Sequence, residues 1–206
     1  MQNGKRKSTA SRKKQIVEVA RKIITTKGME NLTIRMIAGE MSITEGALYR
    51  HVRSKLEIIR LLIDEIEQTL LDKIKTAASP SLLASEKLQR IFYSHLSYAE
   101  ARRGVSFIVI AETLNLHNRE LQHRMHLVLS AYLAEISKIV QEGFEDGSIL
   151  DSVDPASASI IFLGSVQALV SLWALQGYNK RFISRHKRIL FDHFLAGISR
   201  RTANVL

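Results

Sequence analysis

The chain has 206 residues, a formal net charge of +10 at pH 7, 46% hydrophobic residues and no cysteine. This length suffices for a sizeable core, and the lack of cysteine excludes disulfides and thiolate metal sites. The positive charge is concentrated, because residues 1–55 carry 13 Lys and Arg against 4 Asp and Glu, whereas residues 56–206 are nearly balanced. The sequence therefore predicts a small polyanion-binding segment followed by a larger, nearly neutral body.

The first 11 residues are polar, small and basic, and we expect them to form a flexible basic arm. The basic side chains of this arm can contact DNA phosphates, or they can belong to a solvated tail that makes no DNA contact. The sequence leaves both interpretations open. A first helix is predicted over residues 12–27, because apolar side chains recur there at helical spacing. Gly28 follows as the residue able to adopt a positive φ at the helix end.

Two short helices are predicted next, in the stretch TIRMIAGEMSITEGALYRHVRSK. Thr33 is placed as the N-cap of the first, whose apolar stripe ends at Met41, and the helix breaks at Ser42. Thr44 is placed as the N-cap of the second, which is expected to run from Glu45 to about Val52. Two short helices joined by a tight turn predict a helix-turn-helix, whose second helix enters the DNA major groove.

The remainder of the chain is predicted to be helical. Ser54 and Glu57 have capping-box spacing and begin a fourth helix that reaches about Thr76, and residues 77–85, with Pro80, interrupt it. Further helices are predicted at 86–102, 105–116, 118–145, 155–177 and 182–201, the third of these in one or two pieces. We therefore predict an all-α fold of about nine helices, with an arm (1–11), a three-helix DNA-binding head (12–55) and a larger helical body (56–206).

The block from Arg12 to Lys55 resembles the TetR family of bacterial transcriptional regulators. It keeps the family's order of features, from the first helix ending at Gly28 through the run Gly46-Ala47-Leu48-Tyr49 to Ser54-Lys55. Two departures are visible, since the family usually has Gly where Ser42 stands and Phe-Pro where Val52-Arg53 stand. A positive φ at Ser42 would carry a cost in backbone strain.

Base reading is assigned to Glu45, Arg50 and His51 of the second short helix. Arg50 suits a bidentate contact to guanine, and Glu45 suits an acceptor for cytosine. Two alternatives stay open: Glu45 as a charge that favours the helix dipole, and His51 as a packing residue. Gly46 has no side chain, which lets the helix backbone approach the groove closely.

Phosphate binding is assigned to residues at the helix ends. Thr44 places a cap hydroxyl beside the free amides of a helix N-terminus, which suits an anion. The resemblance implies that Tyr49 and Lys55 also grip phosphates, and that Thr33 and Arg35 do so from the preceding helix. Tyr49 can at the same time pack its ring and place its hydroxyl on phosphate. Such contacts position the protein and carry little sequence information.

The resemblance implies a homodimer on a palindromic operator, formed by the last two long helices as a four-helix bundle. The alternative is a monomer whose core uses the same residues. The predicted interface residues are Ala158, Ser159, Ile161, Gly164, Ser165, Ala168, Leu169, Leu172, Ile189, Leu190, Phe194 and Ile198.

The resemblance also implies a small-molecule cavity in the body. Candidate lining residues mix aromatic and apolar groups with a few polar ones, which suits a pocket and an ordinary core equally. They are Phe92, Tyr93, Leu96, Tyr98, Phe107, Met125, Leu163, Gln167 and Trp173.

Catalysis and metal binding find no support in the sequence. No nucleophile motif, phosphate-cradling glycine loop or acid-base pair is found, so we predict neither an enzyme nor a cofactor, and His117, His123 and His126 are expected to be surface residues. No signal peptide is found and Ser159–Gln176 is too diluted to span a membrane, which predicts a cytoplasmic protein. The predicted function is a repressor released by an apolar or amphipathic effector. A nucleoid-occlusion-like DNA organiser without effector control is the alternative, and a small-molecule enzyme a weaker one.

Overall fold

The computed structural model describes residues 9–77, 79 and 81–199. Most of the predicted basic arm, including Lys5, Arg6 and Lys7, lies outside the described residues, and so does Pro80.

The described part of the chain consists of nine α-helices and one short 3₁₀ helix, Met29–Asn31, with no strand. The all-α prediction is confirmed, and the region predicted at 118–145 forms a single helix. The helices are α1 (Thr9–Lys27), α2 (Ile34–Glu40), α3 (Glu45–Tyr49), α4 (Lys55–Ala77), α5 (Ala84–Ala101), α6 (Val105–Asn115), α7 (Arg119–Glu145), α8 (Pro155–Leu175) and α9 (Lys180–Ile198).

The helix starts in the first third of the chain are fixed by side-chain caps. Thr33 Oγ1 accepts a hydrogen bond from the Met36 amide, and Thr44 Oγ1 accepts one from the Ala47 amide, both at 3.1 Å. Ser54 Oγ accepts from the Glu57 amide at 3.2 Å. Each such cap satisfies an amide that the helix itself cannot pair, which contributes about 1 kcal/mol.

The two turns in this region use positive φ. Gly28 has a φ of 89° after α1, which glycine adopts without a steric cost. Ser42 has a φ of 53° between α2 and α3. Ser42 therefore adopts a left-handed backbone conformation at a position where the family usually has glycine. The resulting backbone strain costs on the order of 1 kcal/mol.

The described residues up to Ile66 together with Ile108–Met125 form one compact unit, here called the head unit. Its core is apolar and fully buried, and it fixes the angle between α2 and α3. The core side chains are Ile16, Ala20, Ile23, Leu32, Ile37, Leu48, Val52, Ile58 and Ile59.

Glu67–Phe107 and the residues from His126 onward form the second compact unit, here called the body unit. Within it α5, α8 and α9 pack against one another. Their contact is an aromatic cluster in which Phe92 and Phe162 lie 5.5 Å apart by ring centroids, and Phe162 and Phe194 lie 5.4 Å apart. Such edge-on pairs add roughly 0.5–1.5 kcal/mol beyond the burial of their area.

Within the described residues α8 passes a length-and-composition test for a membrane span, with a mean hydropathy of 1.9. The same helix buries Phe162, Val166 and Trp173 and packs against α5 and α9. Burial of this kind is typical of a core helix, so composition alone assigns no membrane span here.

Candidate nucleic-acid interface and effector-binding body

The outward face of α3 is exposed along its whole length. Thr44, Glu45, Gly46 and Tyr49 are all exposed, whereas Leu48 is completely buried. The short helix α3 therefore has an apolar inner side and a polar outer side. This arrangement holds α3 rigidly while presenting its outer side chains to a partner.

The recognition helix is shorter than the sequence predicts. It ends at Tyr49 with Arg50 as its C-cap, two to three residues before the expected end near Val52. Arg50 is exposed, but His51 is half-buried, and its Nδ1 is buried without a hydrogen-bond partner among the described residues. These positions favour a packing role for His51, whereas Arg50 is exposed at the C-terminal end of α3.

Gly46 lies at an open place on this face. A Cβ built on it would meet no protein atom within 4 Å, apart from its chain neighbours and its own helix backbone. No intramolecular packing therefore requires glycine at this position.

Thr33 and Arg35 lie together on the surface of α2. They line a groove of about 510 Å³ with Met36, Gly39 and Glu40. The Glu40 carboxylate accepts from Lys22 at 2.7 Å and from Lys27 at 3.0 Å, and these lysines hold its pKa below the usual range.

Lys55 is held by two oxygens inside the head unit. Its Nζ lies 3.2 Å from Glu112 Oε1 on α6 and 3.3 Å from the Met29 carbonyl oxygen. Sequence reasoning could not find this pair, since 57 positions separate Lys55 from Glu112. If Lys55 grips a phosphate, as the resemblance implies, it must exchange Glu112 for the DNA.

We expect Glu112→Gln to raise the affinity for operator DNA about two- to fivefold. Glu112 competes with phosphate for Lys55, and a half-exposed ion pair of this kind is worth about 0.5–1 kcal/mol. Fluorescence anisotropy of a labelled duplex at fixed ionic strength measures the change.

Glu120→Gln is the matched control for this variant, because it removes the same charge from the head unit. Glu120 pairs with Arg60 at 3.0 Å, and Arg60 is not a predicted phosphate ligand. Equal gains in affinity for Glu112→Gln and Glu120→Gln would mean that overall charge, and not release of Lys55, causes the effect.

The predicted pocket residues lie mostly in the core of the body unit. Five are buried, three are half-buried, and Met125 belongs to the head unit. Phe92 packs inside the aromatic cluster, whereas Trp173 carries a buried Nε1–H that has no acceptor among the described residues. The buried residues are Phe92, Leu96, Tyr98, Leu163 and Trp173, and the half-buried ones are Tyr93, Phe107 and Gln167.

A buried polar pair, missed at the level of sequence, lies among these residues. His95 Nδ1 is 3.0 Å from the Tyr132 hydroxyl, and the His95 ring stacks on Phe107 with 6.0 Å between centroids. Burial, assisted by the charge of Lys73, lowers the pKa of His95 to about 4, and burial raises the pKa of Tyr132. Both groups are therefore neutral at pH 7, and the pair is a hydrogen-bonding site inside an apolar core.

The structure divides the predicted dimer residues into buried, half-buried and exposed ones. Ala158, Leu169, Phe194 and Ile198 are buried within the chain itself, together with Ser159, so they differ from the prediction and belong to the protomer core. Ser165 and Leu190 are half-buried. The exposed apolar face of α8 and α9 is formed by the predicted residues Ile161, Gly164, Ala168, Leu172 and Ile189, together with Ile160 and Leu175, which were not predicted.

An all-helical chain with a basic head unit and an exposed, capped second helix of a helix-turn-helix defines a DNA-binding regulator. The comparisons with known proteins agree. Residues 16–62 match bacterial regulatory proteins of the tetR family, and residues 62–191 match the C-terminal region of YsiA-like proteins. The chain belongs to the TetR family of bacterial transcriptional regulators.

Similar proteins fall into two groups. The fatty acid metabolism regulator protein of Bacillus subtilis (strain 168) is 22% identical over 176 residues, which are 85% of this chain and 90% of that protein. The nucleoid occlusion factor SlmA of Haemophilus ducreyi is 31% identical over 121 residues, 58% of this chain and 60% of that protein. The second match is closer in identity but leaves out much more of both chains.

Solved structures share the fold. The transcriptional regulator FadR from Bacillus subtilis, solved in complex with stearoyl-CoA, has a TM-score of 0.77 at 21% identity, covering 90% of this chain and 98% of that one. The ketosteroid transcriptional regulator KstR2 of Mycobacterium tuberculosis has a TM-score of 0.72 at 18% identity, covering 93% and 96%. At these identities the likeness establishes the fold alone.

Proposed function

We propose that this regulator is a homodimeric repressor that binds a palindromic operator through α3 and is released by a long-chain acyl-CoA. The observation that carries the DNA-binding part is the exposed outer face of α3, with Thr44, Glu45, Gly46, Tyr49 and Arg50 on a basic head unit. Thr44 and Tyr49 would hold phosphates, while Glu45 and Arg50 would read bases.

The test of this assignment is Arg50→Ala. We expect it to lower the preference for one base pair of the operator by about 1–3 kcal/mol, because a bidentate contact from Arg to guanine is lost. The operator is first obtained by selecting duplexes from a random pool with the wild-type protein. Competition binding with single-base variants of the operator then measures the preference.

Arg53→Ala is the control for Arg50→Ala. Arg53 is exposed and lies three residues further on, but it is not a predicted base reader. Any loss of affinity caused by Arg53→Ala should be the same for all DNA sequences. An unchanged base preference for Arg50→Ala would contradict the assignment of Arg50.

The homodimer is supported by the exposed apolar face of α8 and α9. Ile161, Leu172 and Leu175 are 57%, 50% and 83% exposed and lie at helical spacing on one side of α8. Gly164 and Ala168 lie between them and allow the close approach of a second helix. A patch of this kind on a protomer is typical of an interface, and pairing two heads on two half-sites raises affinity and sets operator symmetry.

The acyl-CoA effector is supported by similarity and by the chemistry of the body unit. The match to the fatty acid metabolism regulator extends over 85% of this chain. The interior of the body unit offers apolar and aromatic side chains with isolated polar groups at His95, Tyr132 and Trp173. An apolar chain with a single polar linkage suits that lining.

The chain's wider organisation follows from the same proposal. We divide it into an arm (1–11), a DNA-binding head (12–55) and an effector-binding and dimerisation body (56–206), and the change of matching family model at residue 62 supports a boundary in this region. We assign no catalytic activity, because the matching family is one of bacterial regulatory proteins. Its place of action is the cytoplasm, where chromosomal DNA is found.

The second candidate function is DNA organisation without effector control, favoured by the 31% identity to SlmA. The number of chromosomal sites separates the two functions. One or a few sites near a small set of genes, found by immunoprecipitation and sequencing, support the repressor. Dozens of sites scattered over the chromosome support the organiser.

A further inference from the structure

A groove of about 480 Å³ lies on the surface of the body unit, between the second half of α4 and the outer face of α5. Arg90 and Ser94 are one helical turn apart on α5, and Lys73 faces them from α4. The volume lies within the range of small-molecule sites. The groove residues are Thr69, Asp72, Lys73, Thr76, Ala77, Arg90 and Ser94.

The two cations of this groove are available to a ligand. Lys73 Nζ makes a long contact of 3.4 Å to Ser94 Oγ and lies 5.4 Å from the centre of the Tyr98 ring. Neither Lys73 nor Arg90 forms an ion pair within the described ranges. By contrast, Lys87, one turn before Arg90, is paired with Glu142 at 2.9 Å.

The third charged residue of the groove restricts the ligand further. Asp72 is exposed, and a carboxylate can only accept hydrogen bonds. A bare phosphate would be attracted by Lys73 and Arg90 but repelled by Asp72. A ligand that combines phosphates with an amino group or a ribose hydroxyl satisfies all three side chains.

The groove also lies beside the buried polar pair of the body unit. Ser94 and His95 are consecutive on α5, with Ser94 half-exposed on the groove and His95 buried on the other side. His95 stacks on Phe107, one of the predicted pocket residues. The charged groove and the apolar interior therefore lie on opposite sides of the same turn of α5.

We propose that this groove binds the phosphorylated nucleoside end of an acyl-CoA, with Lys73 and Arg90 on the phosphates and Asp72 on an amino or hydroxyl group. The acyl part of the inference rests on the proposed function, whereas the head-group site rests on the groove.

Isothermal titration of the full-length protein tests this site with stearoyl-CoA, free CoA, stearate and pyrophosphate. We expect the double variant Lys73→Gln with Arg90→Gln to bind stearoyl-CoA and free CoA about 10- to 100-fold more weakly, because two charge-assisted contacts are lost. Stearate should bind both proteins equally. Lys75→Gln, which removes a cation from α4 outside the groove, should bind every probe like the wild type.

The possible failures are separable. Unchanged binding of stearoyl-CoA and CoA by the double variant would overturn the groove as the head-group site while leaving the acyl-CoA effector standing. An equal loss of affinity for stearate would also overturn the groove as the head-group site. The double variant would then act by disturbing the folded structure and not by removing contacts to the head group. Pyrophosphate binding as tight as that of CoA would overturn the nucleoside part. Binding of CoA with no contribution from the acyl chain would support the groove and contradict the proposed effector.

Discussion

Replacing both Ile161 and Leu172 with glutamate is expected to convert the proposed dimer into monomers and to remove high-affinity operator binding. Both side chains are exposed in the protomer, so the substitution removes nothing from its core. In a two-fold symmetric interface each change occurs twice, and burying unpaired carboxylates costs several kcal/mol. We expect the dimer dissociation constant to rise at least about 1,000-fold.

Sedimentation velocity measures the dimer, and anisotropy measures binding to a palindromic duplex and to a single half-site. The double variant should bind the palindrome no better than the half-site. Leu127→Glu is the matched control, because Leu127 is 46% exposed on α7 and lies outside the proposed interface. A double variant that remains dimeric would show that the exposed face of α8 and α9 is not the interface.

The stability of the body unit is expected to fall as the pH drops from 7 toward 4, because of the buried His95. Burial lowers the pKa of His95 from its usual 6.5 to about 4. Above pH 6.5 this histidine is neutral in both the folded and the unfolded chain. Between pH 6.5 and 4 only the unfolded chain binds the proton, so the free energy of unfolding falls by about 2 kcal/mol at pH 5 and about 3 kcal/mol near pH 4.

The matched variant for this effect is His95→Gln, which keeps a polar group for the Tyr132 hydroxyl but does not titrate. Urea unfolding of both proteins at pH 7 and pH 5 gives the contribution of His95 as a difference, since the carboxylates titrate alike in both. The wild type should lose about 2 kcal/mol more than the variant. Equal losses would mean that His95 is accessible to protons in the folded state.

Local chemistry allowed most helix boundaries to be predicted. Thr33, Thr44 and Ser54 cap helices where the sequence places them, and Gly28 has the positive φ expected of it. These devices act over three or four residues, so they are visible in a short window of sequence. The end of α3 was missed, because no breaking residue follows Tyr49.

Contacts between distant residues could not be predicted in the same way. Lys55 with Glu112 and His95 with Tyr132 join different helices, and single-helix patterns carry no information on such pairs. Burial on α8 could not be predicted for another reason. This helix is apolar on nearly every side, so its periodicity does not distinguish a core position such as Leu169 from an exposed one such as Leu172.

Ion pairs within the head unit neutralise part of its positive charge locally. Arg21, Lys22, Lys27 and Lys55 each lie beside a carboxylate of the chain, and Lys22 and Lys27 share that of Glu40. The positive field that a polyanion meets is therefore weaker close to these four side chains. Electrostatic attraction to any duplex is thereby tempered, and a larger share of the binding free energy is left for discrimination between sequences.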